Sequence, residues 1–385
     1  MPTVQTAGPG VYTLAATCTS DNYIASDSTA YEVTAVDVVL ALAGDGVGVS
    51  HTVPVTYSYF MADAYSPGVL GEPVVVSTTL SRQGGIAPGD VALQWSFDEV
   101  TWQDFALTTT DCGADLCGEF DAGSPVGFFP LPAASSPTYW RASSTRGGRY
   151  TVTSSVVGQS GTIYATATHA VDVADLGLTG SGNASGVVGE AVSTAMTLGN
   201  TGMADVGTHM IGTPNAENVR GRFTITLPGV VLQPADTSGP GGNCGSATCA
   251  SPDVRVEFFD STANGGMGAY VPIHTLFQAD DGQSLYGHFG SLSSGGTPVP
   301  AGYTGTFLFR TTFLDYTGSY MVSSQVVGVS DGKVYASAAP QTIGIDEGAA
   351  ASIEIVGVAS GSAVVSESVN AYDNGILYTD HFLAR

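Results

Sequence analysis

The chain has 385 residues, and its 34 Asp and Glu residues against 10 Lys and Arg residues give a formal net charge of −24 at pH 7. This length suggests two to three domains. The charge leaves no basic surface for phosphate groups, which excludes nucleic acid and anionic membrane surfaces as expected partners. The apolar content of 43% separates the chain from disordered acidic tails. No apolar run approaches the ~20 residues of a membrane-spanning helix, so no membrane span is predicted.

Residues 1–35 predict a β-hairpin segment. The stretch Gly-Val-Tyr-Thr-Leu at 10–14 alternates apolar and polar side chains, and a second strand follows a polar turn at 23–26. The same two-strand pattern occurs twice more, each time at the end of a predicted domain, at 148–152 with 163–166 and at 318–322 with 334–337. We therefore interpret residues 1–35 as the tail of a sandwich.

Residues 36–173 predict a first complete domain. An apolar strand at 38–42 leads through a Gly-rich turn to a second apolar run at 53–57, and further short runs follow at 90–95 and around Trp140. Short apolar runs separated by turn signals, without helical periodicity, are typical of β-sandwiches. We therefore predict an all-β fold of tandem immunoglobulin-like Greek-key β-sandwiches, with half-domain strand segments at both termini.

Residues 174–346 repeat this organisation as a second sandwich. The strand at 175–178 resembles the one at 38–42, the run at 253–258 resembles 90–95, and 323–328 parallels 153–158 closely. Internal similarity of this kind is the signature of tandem domains. The Gly- and Pro-rich stretch at 232–253 is predicted to be a long surface loop.

Residues 347–385 predict the opening strands of a further sandwich. A segment this short cannot bury a core alone, and an open sheet edge pairs readily with another chain. We therefore predict that it is a donor strand which adds to a sandwich of another subunit. The candidate inter-subunit residues are Ile353, Ile355, Val356, Val358, Val364, Val365, Ile376, Leu377, Phe382 and Leu383.

Four of the five cysteines form two close pairs, Cys112 with Cys117 and Cys244 with Cys249, each with four intervening residues. The spacing would also suit a metal ion, but no histidine pair accompanies it. Two small loop disulfides, formed in an oxidising compartment, are the better interpretation. Cys18 is left over, either as a small buried residue or as one half of an intermolecular disulfide.

The turn Gly-Asn-Thr-Gly at 199–202 and the runs at 253–259, 285–290, 298–303 and 318–320 resemble the tandem immunoglobulin-like repeat domains of bacterial cell-surface and adhesin-type proteins. The resemblance covers most of 174–346 and, more loosely, 36–173. It implies an extracellular structural or adhesive role, and it brings no catalytic residues.

The motifs of common enzymes are missing. No histidine has the spacing of a metal ligand, and neither a nucleophile elbow nor a phosphate-binding loop occurs, so we expect no enzyme. No cofactor is predicted, although Ca²⁺ stays open because carboxylates on Gly-containing turns suit hard cations. The candidate ligands are Asp280, Asp281, Asp331, Asp172 and Asp175.

A sugar-binding platform would need exposed aromatic rings. Trp95 and Trp140 fall on predicted strands, where core packing is favoured, whereas Trp102 is expected near a turn.

Together the patterns predict an extracellular structural subunit that polymerises head to tail into a surface filament by β-strand addition, as a homopolymer. The alternatives are a fragment of a larger bacterial adhesin repeat array, or a carbohydrate- or host-binding surface module.

Overall fold

The computed structural model describes residues 10–20, 23–33, 38–67, 72–110, 112–120, 130–206, 218–233, 253–273, 276–289, 299–329, 332–348, 369–373 and 376–380. These residues are almost entirely strands and turns, and the single helix among them is the short α1 (Ala263–Gly266). The all-β prediction is thereby confirmed, while the immunoglobulin-like Greek-key detail stays a prediction. In this part of the chain no helix is long and apolar enough to cross a membrane.

The strands fall into four groups along the chain. The first hairpin consists of β1 (Gly10–Ser20) and β2 (Tyr23–Val33). The next ten strands are β3 (Val39–Gly44), β4 (Val47–Val49), β5 (Ser58–Tyr65), β6 (Val74–Arg82), β7 (Val91–Ser96), β8 (Gln103–Phe105), β9 (Leu116–Phe120), β10 (Thr138–Ser144), β11 (Gly148–Gly158) and β12 (Ile163–Ala174).

Among the described residues, the second half follows the same plan with two additional short strands. Its strands are β13 (Leu176–Gly182), β14 (Ser185–Val187), β15 (Ala191–Asn200), β16 (Val219–Thr226), β17 (Val254–Asp260), β18 (Ala269–Pro272), β19 (Phe277–Gln278), β20 (Leu285–Phe289), β21 (Thr304–Phe313), β22 (Gly318–Gly328), β23 (Val334–Ser337) and β24 (Gln341–Asp346). A last hairpin consists of β25 (Val369–Asp373) and β26 (Ile376–Asp380).

Both halves use one strand order. In the first, the described strands form the sheets β3-β5-β10-β7-β8 and β4-β12-β11-β6-β9. In the second, the corresponding sheets are β13-β15-β21-β17-β18 and β14-β24-β22-β16-β20-β19, and β23 also pairs with β22. The repeats read from the sequence therefore correspond strand by strand, including the predicted match of 90–95 with 253–258, which lie in β7 and β17.

By its internal contacts the chain divides into two compact units. Unit 1 comprises Met1–Gly46, Ser58–Ala142 and Tyr150–Val171, and unit 2 comprises Val47–Tyr57, Ser143–Arg149 and Asp172–Arg385. The stretches 47–57 and 143–149, which the repeats place in the first domain, thus belong to unit 2. One cause is that β4 pairs in parallel with the end of β12, from Asp172 to Ala174.

The apolar run at 53–57 is not the strand that the sequence predicts. Val53 makes an isolated bridge with Val334, and the strand begins only at Ser58, as β5. Proline at position 54 has no backbone N–H to donate to a sheet, which explains why this run stays outside the ladder.

The strand that precedes each closing turn supplies the central inward-facing row of each sandwich. Tyr150 in β11 and Tyr320 in β22 are both buried, and buried positions alternate along both strands. Each tyrosine lies two residues after a glycine with positive φ, which is Gly148 at 132° in the first case and Gly318 at 137° in the second. Only glycine adopts this backbone conformation without strain, which explains the Gly-x-Tyr pattern at both sites.

The predicted long loop replaces a tight turn. In unit 1 two hydrogen bonds close a turn that contains Gly89. The backbone N–H of Asp90 donates to the carbonyl oxygen of Ala87 at 3.0 Å, and the backbone N–H of Ala87 donates to Oδ2 of Asp90 at 2.9 Å. In unit 2 the same two bonds join Asp253 to Gln233, at 3.4 and 2.5 Å. Residues 234–252 lie between them, outside the described residues. The stems of this loop therefore have the geometry of a turn of two intervening residues.

Candidate functional site

The candidate calcium ligands have separate local roles. The Asp281 carboxylate accepts hydrogen bonds from the backbone N–H groups of Gln283 and Ser284, both at 2.8 Å, and from the Ser284 hydroxyl at 2.5 Å. These bonds, with that of the Ser284 hydroxyl foremost, lower the pKa of Asp281. Asp280 is exposed beside it, and Asp331 lies outside the described residues.

The two aspartates near residue 173 contact different partners. Asp172 forms a bidentate pair with Arg149, Nε to Oδ1 at 2.7 Å and Nη2 to Oδ2 at 2.8 Å. The Asp175 carboxylate accepts from the Ser50 hydroxyl at 2.7 Å and from the backbone N–H of Gly147 at 3.2 Å. No group of three or more His, Cys, Asp or Glu side chains that could hold a metal occurs among the described residues. Calcium binding stays a prediction.

The Gly-Asn-Thr-Gly turn is a buried polar hub of unit 2. Asn200 is 1% exposed, and its Nδ2 donates to the carbonyl oxygens of Ala204 and Val299 at 2.9 and 3.1 Å. Its Oδ1 accepts from the backbone N–H groups of Asp175 and Gly202, both at 3.1 Å. Every hydrogen-bonding position of the side chain is thus used. The sequence identified this turn but not its four bonds.

The three tryptophans lie in unit 1 in different surroundings. Trp140 is buried, stacks on Phe60 at 5.9 Å between ring centroids, and donates its indole N–H to the Thr138 hydroxyl. Trp95 is half-buried and contacts Phe120 edge to face. The prediction that both rings pack in the core is therefore fully correct only for Trp140.

Trp102, just before β8, is the ring that the sequence left open as a sugar platform. The Arg141 guanidinium lies over its face, 4.4 Å from the ring centroid. In unit 2 Arg310 of β21, the counterpart of β10, lies over Tyr270 of β18 at 3.8 Å. Because an arginine on corresponding strands lies over an aromatic ring in both units, we interpret the pair as a cation–π contact of the fold. One face of Trp102 is thus covered.

The structure joins Cys112 to Cys117 in a disulfide, with a Cα–Cα distance of 5.9 Å. The other proposed pair, Cys244 and Cys249, lies outside the described residues. Cys18 lies in β1, in register with Ala25 of β2.

The two terminal hairpins are the sites of the predicted strand addition. β1 and β2 pair antiparallel from Gly10 opposite Val33 to Ser20 opposite Tyr23, and β25 pairs with β26. Among the described residues, neither hairpin is hydrogen-bonded to a third strand. Of the candidate donor residues, Ile376 and Leu377 lie in β26, and the other eight lie outside the described residues.

No protein-family model matches this chain, and none of the curated proteins matches it. Similar solved structures include the C-terminal domain of the Streptococcus pyogenes antigen I/II-family protein AspA, at 8% identity, 80% of this chain, 98% of that chain and a TM-score of 0.36. The B domain of a biofilm-associated protein matches at 8% identity, with 80% of this chain, 85% of that chain and a TM-score of 0.25. AvmM, which catalyses macrocyclization in alchivemycin A biosynthesis, matches at 10% identity, with 45% of this chain, 91% of that chain and a TM-score of 0.27.

The first two neighbours are bacterial surface and adhesin-type β domains, the class that the sequence resembles. All three TM-scores are 0.36 or lower, so these likenesses carry no argument about the function of this chain.

Proposed function

We propose that this chain is an extracellular structural module of the cell surface, whose copies join head to tail by β-strand addition. Three features support a surface role. Two sandwiches of one strand order stand in tandem, the net charge is −24, and Cys112 and Cys117 form a disulfide of the kind that persists in oxidising compartments. None of them points to catalysis.

The observation that carries the proposal is that, within the described residues, each terminal hairpin is a sheet of two strands. A two-stranded hairpin is at best marginally stable in water, and the backbone N–H and C=O groups at a sheet edge are a template for pairing with a further strand. A further strand satisfies these groups and adds a row of cross-strand side-chain contacts. The β25–β26 hairpin of one copy is the strand donor, and the β1–β2 hairpin of the next copy is the acceptor.

This pairing is heterologous, because two different surfaces meet. A heterologous contact that does not close into a ring continues indefinitely, so the product is a filament. The partner of the chain is thus another copy of itself. The acidic surface opposes lateral clumping, because like charges on neighbouring filaments repel within a Debye length of about 8 Å at physiological salt.

Negative-stain electron microscopy and sedimentation velocity test the proposal. The full chain is compared with a variant truncated before Ala351, which removes the donor hairpin. A control replaces residues 234–252 by Pro-Gly, a shorter deletion that leaves residues 1–35 and 347–385 intact. Filaments are expected from the full chain and the control, and single particles from the truncated variant.

A monodisperse monomer of the full chain at high concentration would show that polymerisation is wrong. Filaments that persist after truncation would exclude the C-terminal donor. A monomeric full chain favours the alternatives, a piece of a larger adhesin repeat array or a carbohydrate- or host-binding module. The binding module predicts stabilisation by a ligand rather than by a second copy.

A further inference from the structure

A basic cluster lies on the outward side of the β16–β20 pair in unit 2. Arg220 and Arg222 are two residues apart on β16, so both side chains project from one face of the sheet. His288 of β20 is the register partner of Arg222. We call Arg220, Arg222 and His288 the basic face. It holds two of the 10 Lys and Arg residues of a chain with a net charge of −24.

One nitrogen atom of each side chain in the basic face lacks a hydrogen-bond partner among the described residues. Nε of Arg220, Nε of Arg222 and Nδ1 of His288 are buried without a hydrogen-bond partner in the described structure. The polar contacts of this face in the described residues include a bond from Arg222 Nη2 to Gln325 Oε1, at 2.6 Å, and a hydrogen bond between the His288 ring and the Gly221 backbone. Buried polar nitrogen atoms without hydrogen-bond partners, beside two like charges, destabilise a fold. Such an arrangement needs an explanation other than stability.

The fold itself does not require these side chains. The two units can be compared position by position, because Ser155 of β11 corresponds to Gln325 of β22. From these two residues the strand registers match positions of β6 with positions of β16, and positions of β9 with positions of β20. In unit 1 the positions of Arg220, Arg222 and His288 are held by Val75, Ser77 and Glu119. The basic face is thus a property of unit 2 alone and is absent from the same place in the other sandwich.

An aromatic wall borders the basic face. The rings of Phe277 and Tyr286 stack at 5.3 Å with an interplanar angle of 27°. Tyr286 lies edge to face with His288 at 5.6 Å, and the Arg222 guanidinium carbon is 5.8 Å from the Tyr286 centroid. All these side chains are half-buried, so each keeps part of its surface exposed to solvent.

We propose that the basic face and its aromatic wall bind a carboxylated saccharide. The carboxylate pairs with the guanidinium groups of Arg220 and Arg222, since arginine offers only donors in a fork that matches a carboxylate. The apolar face of the sugar ring lies against Phe277 and Tyr286. The acidic remainder of the chain does not prevent this, because at physiological salt charges beyond about 8 Å are largely screened.

The charge state of the site agrees with this ligand class. Burial first, and then the positive charge of Arg220, lower the pKa of His288 to about 4. The histidine is therefore neutral near pH 7, and the two arginines supply the positive charge. A bound carboxylate offsets that charge, so the pKa of His288 should rise when the ligand binds.

Isothermal titration of the full chain with D-glucuronate, and with D-glucose as the neutral analogue, tests the proposal. Saturable binding of glucuronate and none of glucose is expected. The double variant Arg220→Gln/Arg222→Gln should bind glucuronate at least about tenfold more weakly, since two charge-assisted contacts are lost. The control Arg255→Gln, which removes an exposed arginine of β17, should bind like the parent chain.

NMR titration of the His288 ring gives a second readout that a merely structural role would not move. Its pKa should rise with glucuronate in the parent chain and stay unchanged in the double variant. The proposal is overturned if glucuronate does not bind, or if the double variant binds it as the parent does while keeping the same melting temperature. Binding of oligoglutamate but not glucuronate would overturn the saccharide assignment and identify an acidic peptide instead.

Discussion

The substitution Asn200→Ala tests the buried hub of unit 2. It removes two bonds donated by Nδ2 and two accepted by Oδ1, and it leaves the N–H groups of Asp175 and Gly202 and the carbonyl groups of Ala204 and Val299 without that partner. A buried hydrogen bond contributes roughly 0.5–1.5 kcal/mol net, so four give about 4 kcal/mol. Water entering the space recovers part of this, and the expected loss in the free energy of unfolding is about 3 kcal/mol.

The measurement is urea unfolding followed by far-ultraviolet circular dichroism, with hydrogen-exchange mass spectrometry to assign the loss to residues of unit 2. The control is Asn183→Ala, the same chemical change at an exposed position, for which a shift within about 0.5 kcal/mol is expected. A loss below about 1 kcal/mol for Asn200→Ala, or equal losses for both variants, would refute the reasoning that the four bonds act as a buried unit.

Three further predictions concern the disulfide, a buried carboxyl group and the long loop. Replacing Cys112 and Cys117 by serine should lower the free energy of unfolding of unit 1 by about 2 kcal/mol, because the closed loop is short; urea unfolding followed by tryptophan fluorescence measures it, and an unchanged midpoint would contradict it. Burial raises the pKa of Asp253 above its ordinary value of 3.8, so the stability that this group contributes is full below about pH 4 and is lost as the pH rises through the raised value. Asp253→Asn should therefore gain stability relative to the parent chain as the pH rises from about 4, and parallel pH profiles in urea unfolding would argue against this. Replacing 234–252 by Pro-Gly should leave the melting temperature of unit 2 within a few degrees of the parent value, since Gln233 and Asp253 already have the geometry of a two-residue turn; loss of the folded circular dichroism spectrum would disprove it.

The sandwiches could be predicted because short stretches of sequence determine which side chains form the inward-facing rows. Tyr150 and Tyr320 begin alternating rows on β11 and β22, and each follows a glycine whose positive φ starts the strand. Alternation with a period of two fixes which side chains face the core, and a slip of one residue would reverse the faces. The repeated pattern therefore predicts which segments are strands and which of their side chains face the core.

The errors and omissions arise where a contact joins distant parts of the chain. The run at 53–57 has the composition of a strand, but its bridge partner is Val334, far along the chain, and Pro54 removes a donor. The sequence places Asn200 in a turn, whereas its acceptor at Val299 becomes apparent only once β15 and β21 are paired. A sequence pattern indicates which residues are neighbours within one strand or turn, but not which distant residues the tertiary structure brings together.

The outward faces carry information of a different kind. Both sandwiches have the same strand order, so the fold does not require a particular side chain at an outward position where the two differ. At one such place unit 1 has Ser77 beside Glu119, and unit 2 has Arg222 beside His288. The sequence shows the arginines on β16 but cannot show that His288 lies next to them, since that depends on the β16–β20 register. The comparison of the two sandwiches thus separates what the fold needs from what unit 2 adds. What unit 2 adds at this place is a positive surface on a negative chain.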